Sequence, residues 1–412
     1  MLDFNGQEGT VAMAGLAAVA EPPANMKQVL VERARAMIPV LRERAPVAEE
    51  VRRLPDKSVE DFHNAGLFRI LQPKRVGGHE LDYGCQIDIA AQIGRGCGSS
   101  AFVLINLACH HWILGMFPPE AQHDVWGPST DTLTVTSFTA DDSKAQVVDG
   151  GYRISGHWKF ASGVHFCDWG MFGIRIPREG CPPEYRMLLI PKKDYRVLDN
   201  WFSSGLRATG STDIIIDDAF VPEHRTIVLT DLKGQSTPGS AINPGYLYRL
   251  PLYPVLSYNV FSAAIGIARG GIESYIDRAR TQIAKLANAK VAEFPTIQLR
   301  VAEACAEVDC AELLTRCNAD EFNANAKAGR SMTMEQRVRY RRDLSYATML
   351  CTRAVDRVMA VSGANGLAYD SPEQRAFRDI HTLNQNVALM WDVIATPFGR
   401  VMLGLDPGDP RL

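Results

Sequence analysis

The stretch Gly156-His157-Trp158-Lys159-Phe160-Ala161-Ser162-Gly163 decides how the rest of the chain is read. Large apolar rings at Trp158 and Phe160 alternate with polar neighbours, and the run stops at Gly163, as a strand closing in a turn would. Similar short runs lie on both sides: Thr132 to Phe138, Gln146 to Val148, Tyr152 to Ser155, Trp169 to Ile176, Tyr185 to Ile190 and Ile214 to Ile216. Gly and Asp clusters separate them. This spacing predicts a small all-β domain over 131–235.

Outside that region the texture is helical. Residues 26–130 predict a helical domain: Met26 to Arg53, a second helix capped by Ser58, then Tyr83 to Gly94 and the apolar Ala101 to Phe117. Residues 236–412 predict another, with helices over Phe261 to Ala287, 298–326, 335–363 and 374–396, the last ending before Pro397. Helices, then strands, then helices predict segregated domains rather than a doubly wound sheet. No G-x-G-x-x-G follows a strand, which excludes the usual dinucleotide fingerprint.

Composition narrows the function. A net charge of −3 argues against nucleic acid as the main partner, because phosphate binding needs a basic surface. Nine cysteines stand without a C-x-x-C pair, so a metal site is not expected and reduced thiols of a cytoplasmic protein are. Residues 1–25 carry an apolar run from Val11 to Ala20, but Asp3 and Glu8 precede it and no Lys or Arg does; this reads as a flexible leader, not a signal. No apolar stretch is expected to approach the ~20 residues of a membrane span.

Six segments, in order, resemble the acyl-CoA dehydrogenase superfamily. They are Phe62-His63-Asn64-Ala65-Gly66-Leu67-Phe68 with Pro73-Lys74-Arg75-Val76-Gly77-Gly78; Gly156 to Gly163; Gly205-Leu206-Arg207-Ala208-Thr209-Gly210-Ser211; Asp217-Asp218-Ala219-Phe220-Val221-Pro222; Gly363-Ala364-Asn365-Gly366; and Gln374-Arg375-Ala376-Phe377-Arg378-Asp379. The resemblance covers roughly residues 27 to 405. It implies an N-terminal helical domain, a central β-barrel or sandwich and a C-terminal four-helix bundle that usually assembles tetramers.

The chain departs from the dehydrogenases in chemistry. Dehydrogenation of a thioester needs a carboxylate base, commonly a Glu just after the R-x-x-R-D stretch. Here that stretch continues Asp379-Ile380-His381-Thr382-Leu383-Asn384-Gln385-Asn386, and Tyr258 to Gly270 contains no acid either. The chain instead resembles the flavin monooxygenase branch, the oxygenase components of two-component phenol and 4-hydroxyphenylacetate hydroxylases. That implies reduced flavin (FMNH2 or FADH2) and O2 as cofactors, and a separate NAD(P)H:flavin reductase as partner. It also implies transfer of oxygen from a flavin C4a-hydroperoxide to a small aromatic, phenolic substrate. Oxygenation of nitrogen or sulfur is the alternative within the fold; a dehydrogenase with an unusual base and a non-catalytic flavin binder are the others.

The resemblance also implies roles. His111, Ser137 and Ser162 follow one another at the mutual spacing of phenol-hydroxylating members. His111 is expected to engage the substrate hydroxyl, with His110 about 100° away on the same helix as the alternative. Ser137 is expected to assist, and Ser162 to accept from the flavin N5–H. His381 is expected near the flavin C4a. Trp158 and Phe160 are expected at the flavin, and Trp112 and Phe138 at the substrate. Arg278, Arg280, Gln298, Gly363, Asn365 and Gly366 are expected around the flavin phosphate and, for FAD, the adenine. Each has a plainer reading as a core, turn or surface residue.

Overall fold

The computed structural model describes residues 25–138, 140–284, 288–409 and 411–412. Residues 1–24 of the expected leader, and the last residues of the helix expected to end at Ala287, lie outside them. Six helices come first: α1 (Met26–Ala36), α2 (Ile38–Val51), α3 (Asp56–Asn64), α4 (Cys85–Gly96), α5 (Gly98–Leu114) and α6 (Pro119–Trp126). Ser58 lies inside α3, not at its start: Pro55 with ψ 138° opens the helix.

The β region contains β1 (Thr134–Ser137), β2 (Ala140–Val148), β3 (Gly151–Ala161), β4 (Trp169–Arg178), β5 (Cys181–Pro191), β6 (Arg196–Val197), β7 (Thr212–Pro222) and β8 (Thr226–Val228). They form two four-stranded sheets, β1-β4-β5-β8 and β2-β3-β7-β6. β1 runs parallel to β4, while β3 pairs antiparallel with β2 and β7. The ladder between β3 and β7 is irregular between Trp158 and Ala161, so the end of β3 leaves the regular alternation.

The C-terminal part is α7 (Leu252–Thr281), a small β9 (Ile283–Ala284) and β10 (Ala289–Lys290) pair, then α8 (Pro295–Lys327), α9 (Met334–Met359), α10 (Pro372–Leu383) and α11 (Trp391–Met402). The single helix expected over 374–396 is two, α10 and α11, and Pro397 lies inside α11. α7 is long and apolar enough to cross a membrane, contrary to the expectation that no such stretch exists; 89% of its apolar window is buried in the fold. Its contact with α4 needs glycine: a Cβ on Gly94 would lie 2.8 Å from the Cα of Gly266. α5 is buried at every position except Asn106, which is half-buried. That helix, β1 and the start of α7 frame one side of the site.

Candidate active site

The first cluster is built where α5, β1 and α7 meet. On α5, Asn106 and His110 share a face, one helical turn apart. The His110 Nδ1 lies 2.6 Å from the Thr134 carbonyl, which can only accept, so Nδ1 carries the proton. Nε2 is then the acceptor, 2.6 Å from the Thr136 hydroxyl. Burial pulls the His110 pKa down to about 4, although its backbone bond works the other way, so the ring is neutral at pH 7. Asn106 accepts from the Asn259 amide of α7 at 3.0 Å. Phe138, just past β1, meets Tyr253 of α7 with ring centroids 6.4 Å apart. Three side-chain pairs thus join the three elements.

A groove of about 1050 Å³ starts at Phe138 and runs between the β region and the C-terminal residues, with Arg175, Tyr185 and Arg400 in its wall. The Tyr185 hydroxyl donates to the Phe138 carbonyl at 2.8 Å, which fixes this corner. Phe138, expected at the substrate, thus lines this groove and lies near Tyr253.

His111 is buried on another face of α5, stacked 5.7 Å from Trp126, and its Nδ1 has no hydrogen-bond partner among the described residues. Burial, then the neighbouring His110, His63 and Arg69, pull its pKa down to about 3. Ser137 lies on the opposite face of β1 from Thr136, because successive side chains of a strand alternate; its hydroxyl donates to the Lys159 carbonyl at 2.6 Å. Trp112 is a core residue, its indole N–H donating to the Leu247 carbonyl at 2.7 Å and its ring packed on Tyr83. The structure thus brings His110 and Thr136 together, while His111 and Ser137 make separate contacts.

The second cluster lies at the end of β3. Phe160 has φ +62° and is 57% exposed, its ring meeting Trp201 edge-on with centroids 6.5 Å apart. Just beyond it, the half-buried Ser162 hydroxyl is 2.7 Å from that of Ser211. Ser211 is 2.7 Å from the Thr209 hydroxyl, which donates to the Leu206 carbonyl at 2.8 Å. The Leu206 N–H donates to Asp379 of α10 at 2.6 Å. Burial raises the Asp379 pKa to about 7. Gly205 lets this turn lie against α10, since a Cβ there would fall 2.1 Å from the Arg378 carbonyl oxygen. Trp158 is not exposed here: it is fully buried, donating to the Gly173 carbonyl at 2.8 Å and packed against Phe172. It stabilises the β region beneath the site and offers no free face to a flavin.

The third group is at the end of α7. Arg278 Nε lies 2.9 Å from Glu373 and Nη1 2.6 Å from Gln282, while Nη2 is buried without a partner among the described residues. A Cβ on Gly366 would be 3.9 Å from that Nη2, so the loop bearing Gly363 and Asn365 adjoins this guanidinium. Arg280 does not join it; it is exposed and 3.4 Å from Asp277. Gln298 is exposed and donates to the Ala292 carbonyl at 3.1 Å. His381 sits on the surface of α10, 2.8 Å from Asp356 and against Phe377.

These features suit a flavin. An exposed aromatic ring beside a half-buried hydroxyl matches a planar ring with one N–H, and a buried guanidinium nitrogen lacking an acceptor among the described residues matches a phosphate. The acyl-CoA dehydrogenase N-terminal domain model matches residues 27–130 and its C-terminal domain model 260–391. The flavin-dependent monooxygenase, oxygenase subunit HsaA, of Rhodococcus jostii is 35% identical over 85% of this chain and 92% of that protein. The oxygenase component of the FADH2-dependent resorcinol hydroxylase of a Rhizobium species is 34% identical over 92% and 95%. The chain belongs to the oxygenase components of the flavin-dependent monooxygenases. The crystal structure of 3-HSA hydroxylase from Rhodococcus sp. RHA1 agrees, with a TM-score of 0.88 at 32% identity over 93% of this chain and 99% of that one. This monooxygenase therefore uses reduced flavin and O2, and as an oxygenase component it depends on a separate reductase component.

The sequence reading missed Asn106, Thr136, Tyr253, Thr209, Ser211 and Asp379. A signal existed for some: Asn106 is the polar residue inside an apolar helix, and Thr209 and Ser211 sit in a turn already singled out.

Proposed function

We propose that this monooxygenase hydroxylates a phenol at the carbon next to its hydroxyl, and that His110 holds that hydroxyl. The single observation that carries the proposal is the neutral His110, whose Nε2 is an acceptor on the face shared with Asn106. Reduced flavin, when bound, supplies the two electrons that activate O2. A phenolic O–H entering beside Thr136 takes its place as donor to Nε2. A histidine of pKa about 4 does not remove a proton from a phenol of pKa about 10 outright; it accepts the hydrogen bond and leaves more electron density on the ortho carbon. Phe138 and Tyr253 border the ring, and the groove beyond Phe138 has room for a substituent. Ser162 meets the flavin N5–H and keeps that proton in place, Phe160 covers the ring, and burial keeps water away.

Relatives support the substrate class: the Rhizobium protein is a resorcinol hydroxylase, and p-hydroxyphenylacetate 3-hydroxylase of Acinetobacter baumannii is 26% identical over 93% of this chain. We further propose that the reductase is an NAD(P)H:flavin reductase and that the chain works as a tetramer. Exposed Leu299, Leu313, Tyr346, Leu367, Tyr369 and Leu403 support an assembly through the C-terminal helices. The test is single turnover of the reduced-flavin complex with O2 against a panel of phenols, indoles, amines and thiophenes. The proposal expects ortho-hydroxylated phenols; oxidation of amines or sulfur alone would overturn it.

A further inference from the structure

The hydroxyl chain behind Ser162 has a direction, and the direction is set by its far end. The Leu206 carbonyl has no proton to give, so the Thr209 hydroxyl spends its proton on it. That same carbonyl also accepts from the Trp201 indole N–H at 3.2 Å. With its proton used, Thr209 can only accept from Ser211, 2.7 Å away. Ser211 has then used its own proton, so at 2.7 Å it can only accept from Ser162. What remains on Ser162 is lone pairs. Every hydroxyl in the chain is fixed by one carbonyl, and that carbonyl is held by the Leu206 N–H bond to Asp379 and by the close seat of Gly205 on α10.

We infer that Thr209 and Ser211, through this one-way relay, make Ser162 an obligate hydrogen-bond acceptor and so help set the family's preference for reduced over oxidised flavin. The inference rests on the reading that Ser162 meets N5. Reduced flavin carries a hydrogen on N5 and can donate to Ser162. Oxidised flavin has a lone pair there and would face another lone pair. A free serine could turn its proton either way and would serve both forms; this one cannot. Thr209 and Ser211 are positioning residues, acting on the flavin only through Ser162.

The experiment is equilibrium titration of the intact protein with reduced FAD under anaerobic conditions and with oxidised FAD, giving two Kd values and their ratio. Thr209→Val removes the proton that orders the relay, and Ser211→Ala cuts it. Both are expected to lower the oxidised-to-reduced Kd ratio about five- to tenfold, the worth of one hydrogen bond. Thr209→Ser keeps the hydroxyl and is expected to keep the ratio. Ser162→Ala is expected to weaken reduced FAD alone. If Ser162→Ala changes neither Kd, the placement of Ser162 at N5 is wrong. If it weakens reduced FAD while Thr209→Val and Ser211→Ala, both folded by circular dichroism, leave the ratio unchanged, the relay is wrong and the placement stands.

Discussion

His110 and His111 are adjacent, equally buried and both neutral at pH 7, yet they do different things. His110 has both ring nitrogens engaged, one by a backbone carbonyl and one by a threonine hydroxyl. His111 has an idle Nδ1 among the described residues and a flat contact with Trp126. The difference teaches that burial and a lowered pKa do not mark a functional histidine. What favours His110 in the proposed role is a defined tautomer with an acceptor on a face that other polar groups share.

The largest effect expected is on His110. Replacing it by Ala removes the acceptor for the substrate hydroxyl, and product formation at saturating phenol should fall by about 100-fold or more. Binding of reduced flavin should be unchanged, because His110 is not part of the Ser162 cluster. Equal loss of flavin binding would mean that the residue is structural. Thr136→Val comes next. It removes the donor that the phenol must displace from Nε2, so the phenol should bind more tightly, by up to about tenfold, read from the KM.

His111→Phe should keep turnover within about twofold, and its signature lies in stability instead. Both histidines have folded pKa values below the ordinary ~6.5, so the unfolded chain binds their protons first. Their contribution to stability is present above pH 6.5 and is lost as pH falls, through about 4 for His110 and about 3 for His111. Thermal unfolding of His111→Phe between pH 6.5 and 4 should therefore show a shallower decline than the parent. A parallel decline would place His111 outside the core.

The smallest effect concerns Asp379, whose shift has the opposite sign. Its folded pKa of about 7 is above the ordinary carboxylate value, so the folded state holds the extra proton and stability falls as pH rises from about 4 through 7. Asp379→Asn should flatten that slope while the Asn carbonyl still accepts from Leu206. Unfolding midpoints at pH 5 and pH 8 measure it.

The order of helices and strands was legible because β-branched and aromatic runs change to helical periodicity near residues 131 and 240, and those differences survive folding. Helix ends were less legible: Met37 breaks the first expected helix in two, and Pro397 does not end the last one. The two histidines are hard to tell apart in the sequence for a specific reason. His110 stands as far before Thr136 as His111 does before Ser137, so that spacing favours neither pair. The further step to Ser162 chose His111, but it runs through a strand whose register slips between Trp158 and Ala161. What separates the pairs is facing: a helix turns its side chains by less than a strand does from one residue to the next, and which face is the site depends on the neighbours the fold supplies. The Trp158 reading turns on facing as well: alternation puts Trp158 inward, and the positive φ at Phe160 turns that ring outward.

The measurement that bears most directly on the account is a ring-nitrogen NMR spectrum of the protein labelled in its nine histidines, recorded with and without a bound phenol. Resonances are assigned by their loss in His110→Asn and His111→Phe. The account predicts that phenol shifts the Nε2 signal absent from His110→Asn and leaves the His111 signals in place. A shift confined to the signals absent from His111→Phe would contradict it.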